Sequence, residues 1–113
     1  MTVQSLKFLV QGSAESPYEV KFTLNGENLN AFCTCPAGQK GLHCKHRLSI
    51  LAGESGSVIS GNQDDILIVK SWLPGTGVEV AIHNMEQAEF DFTVAKGKLS
   101  RAKKELAKAL LHN

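Results

Sequence analysis

Long hydrophobic runs are missing from this chain of 113 residues. No apolar stretch approaches the roughly twenty residues that cross a bilayer. The N-terminus also lacks the basic and apolar regions of a secretory leader. A soluble, intracellular protein is therefore expected, neither secreted nor held in a membrane. A dominant charge is missing as well: 12 Lys and Arg stand against 11 Asp and Glu, a formal net charge of +1. Sequence-independent nucleic-acid binders usually carry a strong basic bias, so any phosphate contact here has to be local. No Gly-rich phosphate loop, nucleophile elbow or paired-carboxylate site stands out. No set of nucleophile, base and stabiliser can be assembled, so no catalytic residue is assigned and an enzyme is not expected. Repeats and low-complexity segments are absent. The length suits one small domain with an appendage, near the size at which a core alone is marginal and a metal staple makes physical sense.

Cysteine is scarce and concentrated. All three cysteines and two of the four histidines lie between positions 33 and 46. The spacing is C-x-C, eight residues, then C-x-H: Cys33, Cys35, Cys44 and His46. Three thiolates and one imidazole supply the four donors of a closed, tetrahedral, structural zinc site. On a strand end, residues two apart point to the same side, which brings Cys33 and Cys35 together. Pro36, Gly38 and Gly41 let the spacer turn back. Residues i and i+2 of a helix face roughly opposite ways. Cys44 is accordingly expected just before a helix over 45–52 and His46 in its first turn, with Gly53 as the left-handed stop. A disulfide plus a free thiol is the bland alternative, disfavoured in a reducing compartment. His43 is the rival ligand to His46.

This pattern, Cys33-x-Cys35, a turn with Pro36 and Gly38, then Cys44-Lys45-His46 ahead of an apolar helix, resembles the SWIM zinc finger. The resemblance covers roughly residues 17–53. It implies Zn2+ as cofactor, Cys33, Cys35, Cys44 and His46 as ligands, and DNA or protein as partner. Lys40, Lys45 and Arg47 surround the motif. They either offset the net negative charge of a Cys3His zinc site or contact phosphate. Phe32 and Leu42 are apolar contact candidates, with packing the simpler role for both.

Upstream, residues 3–11 read as a strand. Tyr18, Val20, Phe22 and Leu24 alternate with polar residues, and Asn25-Gly26 signals a hairpin. A loop of those two residues pairs Phe22 with Leu29, Val20 with Ala31 and Tyr18 with Cys33. In the helix that follows, Leu48 and Leu51 are expected to face the sheet, with Ile50 near its edge. Residues 54–63 read as a linker. Residues 65–73 suit a short helix or a strand, ended by Pro74-Gly75, with Trp72 in the core.

From Val78 the apolar positions fall at alternating spacings of three and four: Ala81, Met85, Ala88, Phe92, Ala95, Leu99, Ala102, Leu106 and Ala109. That is a heptad seam with alanine at every second position. One long helix is the favoured reading. The alternation around Phe90 and Phe92 keeps a strand over 86–96 as its rival, with Gly97 as the break. His83 and His112 read as ordinary histidines.

The expected fold is α+β: a small antiparallel sheet and a helix clamped by zinc over residues 1–53, the linker 54–63, and a mainly helical region over 64–113. That region would pack on the module or on a partner. The expected function is binding, by a zinc module that contacts DNA as an accessory factor. The alternative is a protein–protein adaptor that uses the helical segment, including self-association through residues 78–110.

Overall fold

Three strands form one antiparallel sheet in the order β1-β2-β3, with β1 Val3–Val10, β2 Tyr18–Asn25 and β3 Asn28–Cys33. The structure is a computed structural model and describes residues 3–112. Period-two patterning gives the sheet one buried face. Phe8, Val10, Val20, Phe22, Leu29 and Cys33 all point into the core. The rings of Phe8 and Phe22 meet edge to face with centroids 6.0 Å apart, a favoured aromatic geometry.

The hairpin turn sits one residue later than the sequence suggested. Asn25 pairs with Asn28, so Gly26 and Glu27 form the loop, and Phe22 faces Ala31 while Val20 faces Cys33. Gly26 has φ 64, and glycine at the first central position is what a type II′ turn demands, whereas type I′ would need positive φ at Glu27 too. The resulting shift of two residues leaves every side chain on its expected face. Cys33 still arrives at the inner side of the sheet.

Helices follow: α1 Pro36–Gln39, α2 Lys45–Leu51, α3 Asp65–Trp72 and α4 Gly77–Leu111. α2 ends before Gly53, whose φ is 89, as the left-handed stop requires. Its inward residues are Ile50 and Leu51, both buried, while Leu48 is only half-buried. Ile50 is thus a core residue rather than an edge one.

The segment read as a linker is bound to β1. Ile59 N–H donates to Leu9 O at 2.8 Å, Gln11 N–H donates to Ser57 O at 2.8 Å, and the Asn62 amide donates to Lys7 O at 2.9 Å. Val58 is buried beside Val10. Residues 65–72 are helical, and Ile66, Val69 and Trp72 face inward at the spacing of one helix face. Consequently α3 belongs with the sheet. The chain divides into two units, Met1–Glu79 and Val80–Asn113, rather than at residues 53 and 63.

α4 is a single helix with Gly97 inside it. The strand reading of 86–96 loses to a seam several heptads long, against which one glycine costs only about 1 kcal/mol. Its start carries a signal that periodicity does not use. Thr76 is buried, its Oγ1 accepts from Glu79 N–H at 3.3 Å, and Glu79 Oε1 accepts from Gly75 N–H at 3.1 Å. This is a variant of the capping box, legible as Thr76-x-x-Glu79. Among the described residues, no helix is long and apolar enough to cross a membrane.

Candidate metal centre

β3 ends at Cys33, and the strand pairing is extended past it. Thr34 N–H donates to Glu19 O at 3.0 Å, and Glu19 N–H donates to Thr34 Oγ1 at 2.9 Å. That clamp fixes the C-x-C segment against β2. Cys35 then caps α1, accepting from Gly38 N–H on its Sγ at 3.3 Å, with Pro36 at the first helical position. The single turn of α1 returns the chain toward Cys44. Cys44 is the N-cap of α2 and His46 lies in the first turn of that helix, where helical geometry had placed them.

Cys33, Cys35, Cys44 and His46 converge, with their ligand atoms all within 4.8 Å of one another. The sulfurs are free thiols rather than a disulfide, and all three cysteines are buried. His46 Nδ1 lies 3.8 Å from Cys33 Sγ. Around zinc, with Zn–S about 2.3 Å and Zn–N about 2.0 Å, a tetrahedron puts S and N about 3.5 Å apart. The donor set, its count and its spacing therefore fit Zn2+. Bound there, the ion would have a closed, four-coordinate shell without an open position for water. His43, the rival ligand, is exposed and outside the cluster.

Every sulfur accepts one N–H. Cys35 N–H donates to Cys33 Sγ at 3.5 Å, Gly38 N–H to Cys35 Sγ at 3.3 Å, and Arg47 Nε–H to Cys44 Sγ at 3.1 Å. Such donors orient thiolates and offset their charge. Burial raises the thiol pKa of Cys33 to about 12, aided by the neighbouring cysteines against the opposing Cys35 backbone donor. Burial also raises that of Cys44, yet the hydrogen bonds and charge of Arg47 outweigh it, and Cys44 ends below its ordinary value. Burial holds His46 below its ordinary pKa, with the charge of Lys45 adding to the effect. This favours the neutral imidazole that a metal requires.

Two glycines mark close approaches that spacing did not reveal. A Cβ on Gly38 would collide with the carbonyl oxygen of Cys33. A Cβ on Gly12 would collide with the Tyr18 ring and stand 3.4 Å from His46 Nε2. The Tyr18 and His46 rings lie 5.2 Å apart. Gly12 thus lets the β1–β2 connection cross Tyr18 and His46. The relevant signal in the sequence is faint: Gly12 reads only as the start of a loop.

The cations around the motif divide into two kinds. Lys40 and Lys45 are exposed, at the end of α1 and the start of α2. Neither has a carboxylate partner among the described residues. Arg47 turns inward: besides Cys44, its Nη1 donates to Ala31 O at 3.1 Å, and its Nη2 donates to Leu42 O. One guanidinium therefore joins β3, the spacer and a ligand sulfur, which a planar fork of five donors suits. Phe32 and Leu42 do not pack; they are 64 % and 57 % exposed.

Residues 8–52 match the family model of the SWIM zinc finger. No curated protein and no solved structure matches the chain. The matched segment ends at the close of α2 and contains all four converging donors. With its C-x-C and C-x-H pairs brought to one point, this part of the chain is a SWIM zinc finger.

Proposed function

We propose that this zinc finger is a binding module rather than a catalyst, and that its ligand is nucleic acid. A closed Cys3His shell suits a structural ion, because a catalytic zinc keeps a position for water or substrate. The observation that carries the reading is the solvent exposure of Lys40 and Lys45 at the ends of the helices that carry the buried donors, and of Phe32 on the outer face of the sheet next to Cys33. Lysines at the rim suit backbone phosphates, which set affinity and position without reading sequence. An exposed aromatic on a sheet suits a base, since stacking tolerates any base and contributes about 1–3 kcal/mol. The register adds Lys21, which pairs with Phe32 across the strands and is exposed beside it. Arg47 serves the lysine rim indirectly, by holding the frame on which Lys45 stands.

The test is a salt titration of binding to single- and double-stranded oligonucleotides. Each phosphate contact contributes about 0.7–0.9 to the slope of log affinity against log salt. Lys40→Ala with Lys45→Ala is expected to flatten that slope by nearly two such contributions. Phe32→Ala is expected to weaken binding with the slope unchanged. No binding at low salt contradicts the reading, as does a slope that the lysine substitutions leave intact.

A further inference from the structure

Among the described residues, α4 exposes an apolar seam. Phe92, Leu99 and Leu106 on its seam are 64 %, 56 % and 60 % exposed, and the helix has no buried residue among those described. Helices of this kind owe most of their stability to packing of the apolar face. The seam proper starts at Ala81, because Val78 instead lines a cavity of about 250 Å³ with Leu48 and Leu51 in the first unit.

Two patterns state what covers the seam. Bulky and small residues alternate strictly along it, so a partner must present alanine wherever α4 presents a large side chain. Charge is also divided between the ends of the helix. Residues 77–95 carry four carboxylates and no Lys or Arg, whereas residues 96–111 carry six cations and one carboxylate. A partner helix must offer the opposite order.

We propose that the occupant is α4 of a second copy, running antiparallel about a twofold axis that passes between Thr93 and Val94. In that register Phe92 lies opposite Ala95 and Leu99 opposite Ala88. Met85 and Leu106 then meet Ala102 and Ala81 in the flanking layers. Each large side chain enters the space above an alanine, the close approach that small residues permit. The flanking charges agree with this register. Asp91 faces Lys98 and Glu89 faces Lys96, each pair occurring twice by symmetry. Acidic and basic halves lie against each other. A parallel in-register pair matches neither pattern: it stacks Phe92 on Phe92 and Ala95 on Ala95, and it sets Lys98 beside Lys103. The inference is independent of the nucleic-acid reading and involves no residue assigned to it.

Sedimentation equilibrium of the zinc-loaded full chain is expected to give the mass of two chains. Leu99→Glu, an exposed position, is expected to give the mass of one with unchanged Trp72 fluorescence. Orientation is read from single variants Met85→Cys and Ala102→Cys, mixed and oxidised after zinc loading. The antiparallel pair forms the mixed 85–102 disulfide in preference to 85–85 or 102–102. A wild-type monomer, an assembly of more than two chains, or a preference for the like-with-like disulfides overturns the proposal.

Discussion

Arg47 donates from Nε to the sulfur of Cys44 at 3.1 Å. The bond joins a residue one turn into α2 to that helix's own N-cap. Because the other two guanidinium nitrogens reach Ala31 O and Leu42 O, the contact also registers α2 on β3. Outer-shell partners of metal ligands typically account for 10–100-fold in affinity. Arg47→Met is expected to weaken zinc binding within about that range, and Arg47→Lys to recover only part, since a point charge cannot bridge three acceptors. Lys45→Ala should leave the affinity within a few-fold. Competition with a chromophoric chelator measures all three. Equal losses for Arg47→Met and Lys45→Ala would show that only general positive charge matters.

Zinc affinity should rise with pH. Zinc binds the thiolate, whereas Cys33 holds its proton to about pH 12 in the metal-free fold. Uptake at neutral pH therefore displaces that proton. Affinity is expected to fall about tenfold per pH unit for each proton displaced as pH drops from 8 toward 6. His46 adds to the loss only below its depressed pKa, where its imidazole becomes charged. Calorimetry in two buffers of different ionisation enthalpy counts the protons. A count of zero would contradict the assignment of Cys33 as ligand. Arg47→Met should raise the count, because Cys44 loses the partner that lowers its pKa.

The spacer tolerates little at Gly38. An added methyl meets backbone, the Cys33 carbonyl, rather than a side chain that could move aside. Gly38→Ala is expected to cost about 1–3 kcal/mol, the usual range for overpacking, and to lower zinc affinity together with stability. At Gly56, by contrast, an added Cβ meets nothing within 4 Å, so Gly56→Ala serves as the control. Denaturant unfolding of the zinc-loaded proteins compares the two. Equal stability would show that the C-x-C turn relaxes freely.

Phe22 and Phe32 lie on adjacent strands with opposite fates. Phe22 is fully buried and Phe32 is 64 % exposed. Phe22→Ala should cost about 3–5 kcal/mol, whereas Phe32→Ala should stay within about 0.5 kcal/mol, as surface substitutions do. Comparable losses would place Phe32 in a packed environment and remove it as a stacking residue.

The legible parts of this molecule were those governed by a short repeat. Period two placed Val20, Phe22 and Cys33 on one face, and the three–four spacing from Ala81 onward outweighed the strand pattern around Phe92. The metal centre was legible because donor chemistry and spacing are carried by four residues within one stretch. What escaped was set by contacts between distant segments. The attachment of residues 54–63 depends on the free edge of β1, which no local pattern announces. The turn at Gly26-Glu27 depended on one dihedral choice. The inward turn of Arg47 depended on two carbonyls that only the folded spacer presents. The capping pair Thr76 and Glu79 lies outside the apolar periodicity of α4, which carries no mark of where the helix begins.

The central claim is that Cys33, Cys35, Cys44 and His46 together hold one zinc ion that fastens the sheet to α2. Metal content per chain tests it most directly, measured by elemental analysis on the purified full chain and on Cys35→Ser. One equivalent of zinc in the wild type, and its loss in the variant, is the expected result. A folded wild-type chain with no zinc, or a variant that keeps the full equivalent, would contradict the account.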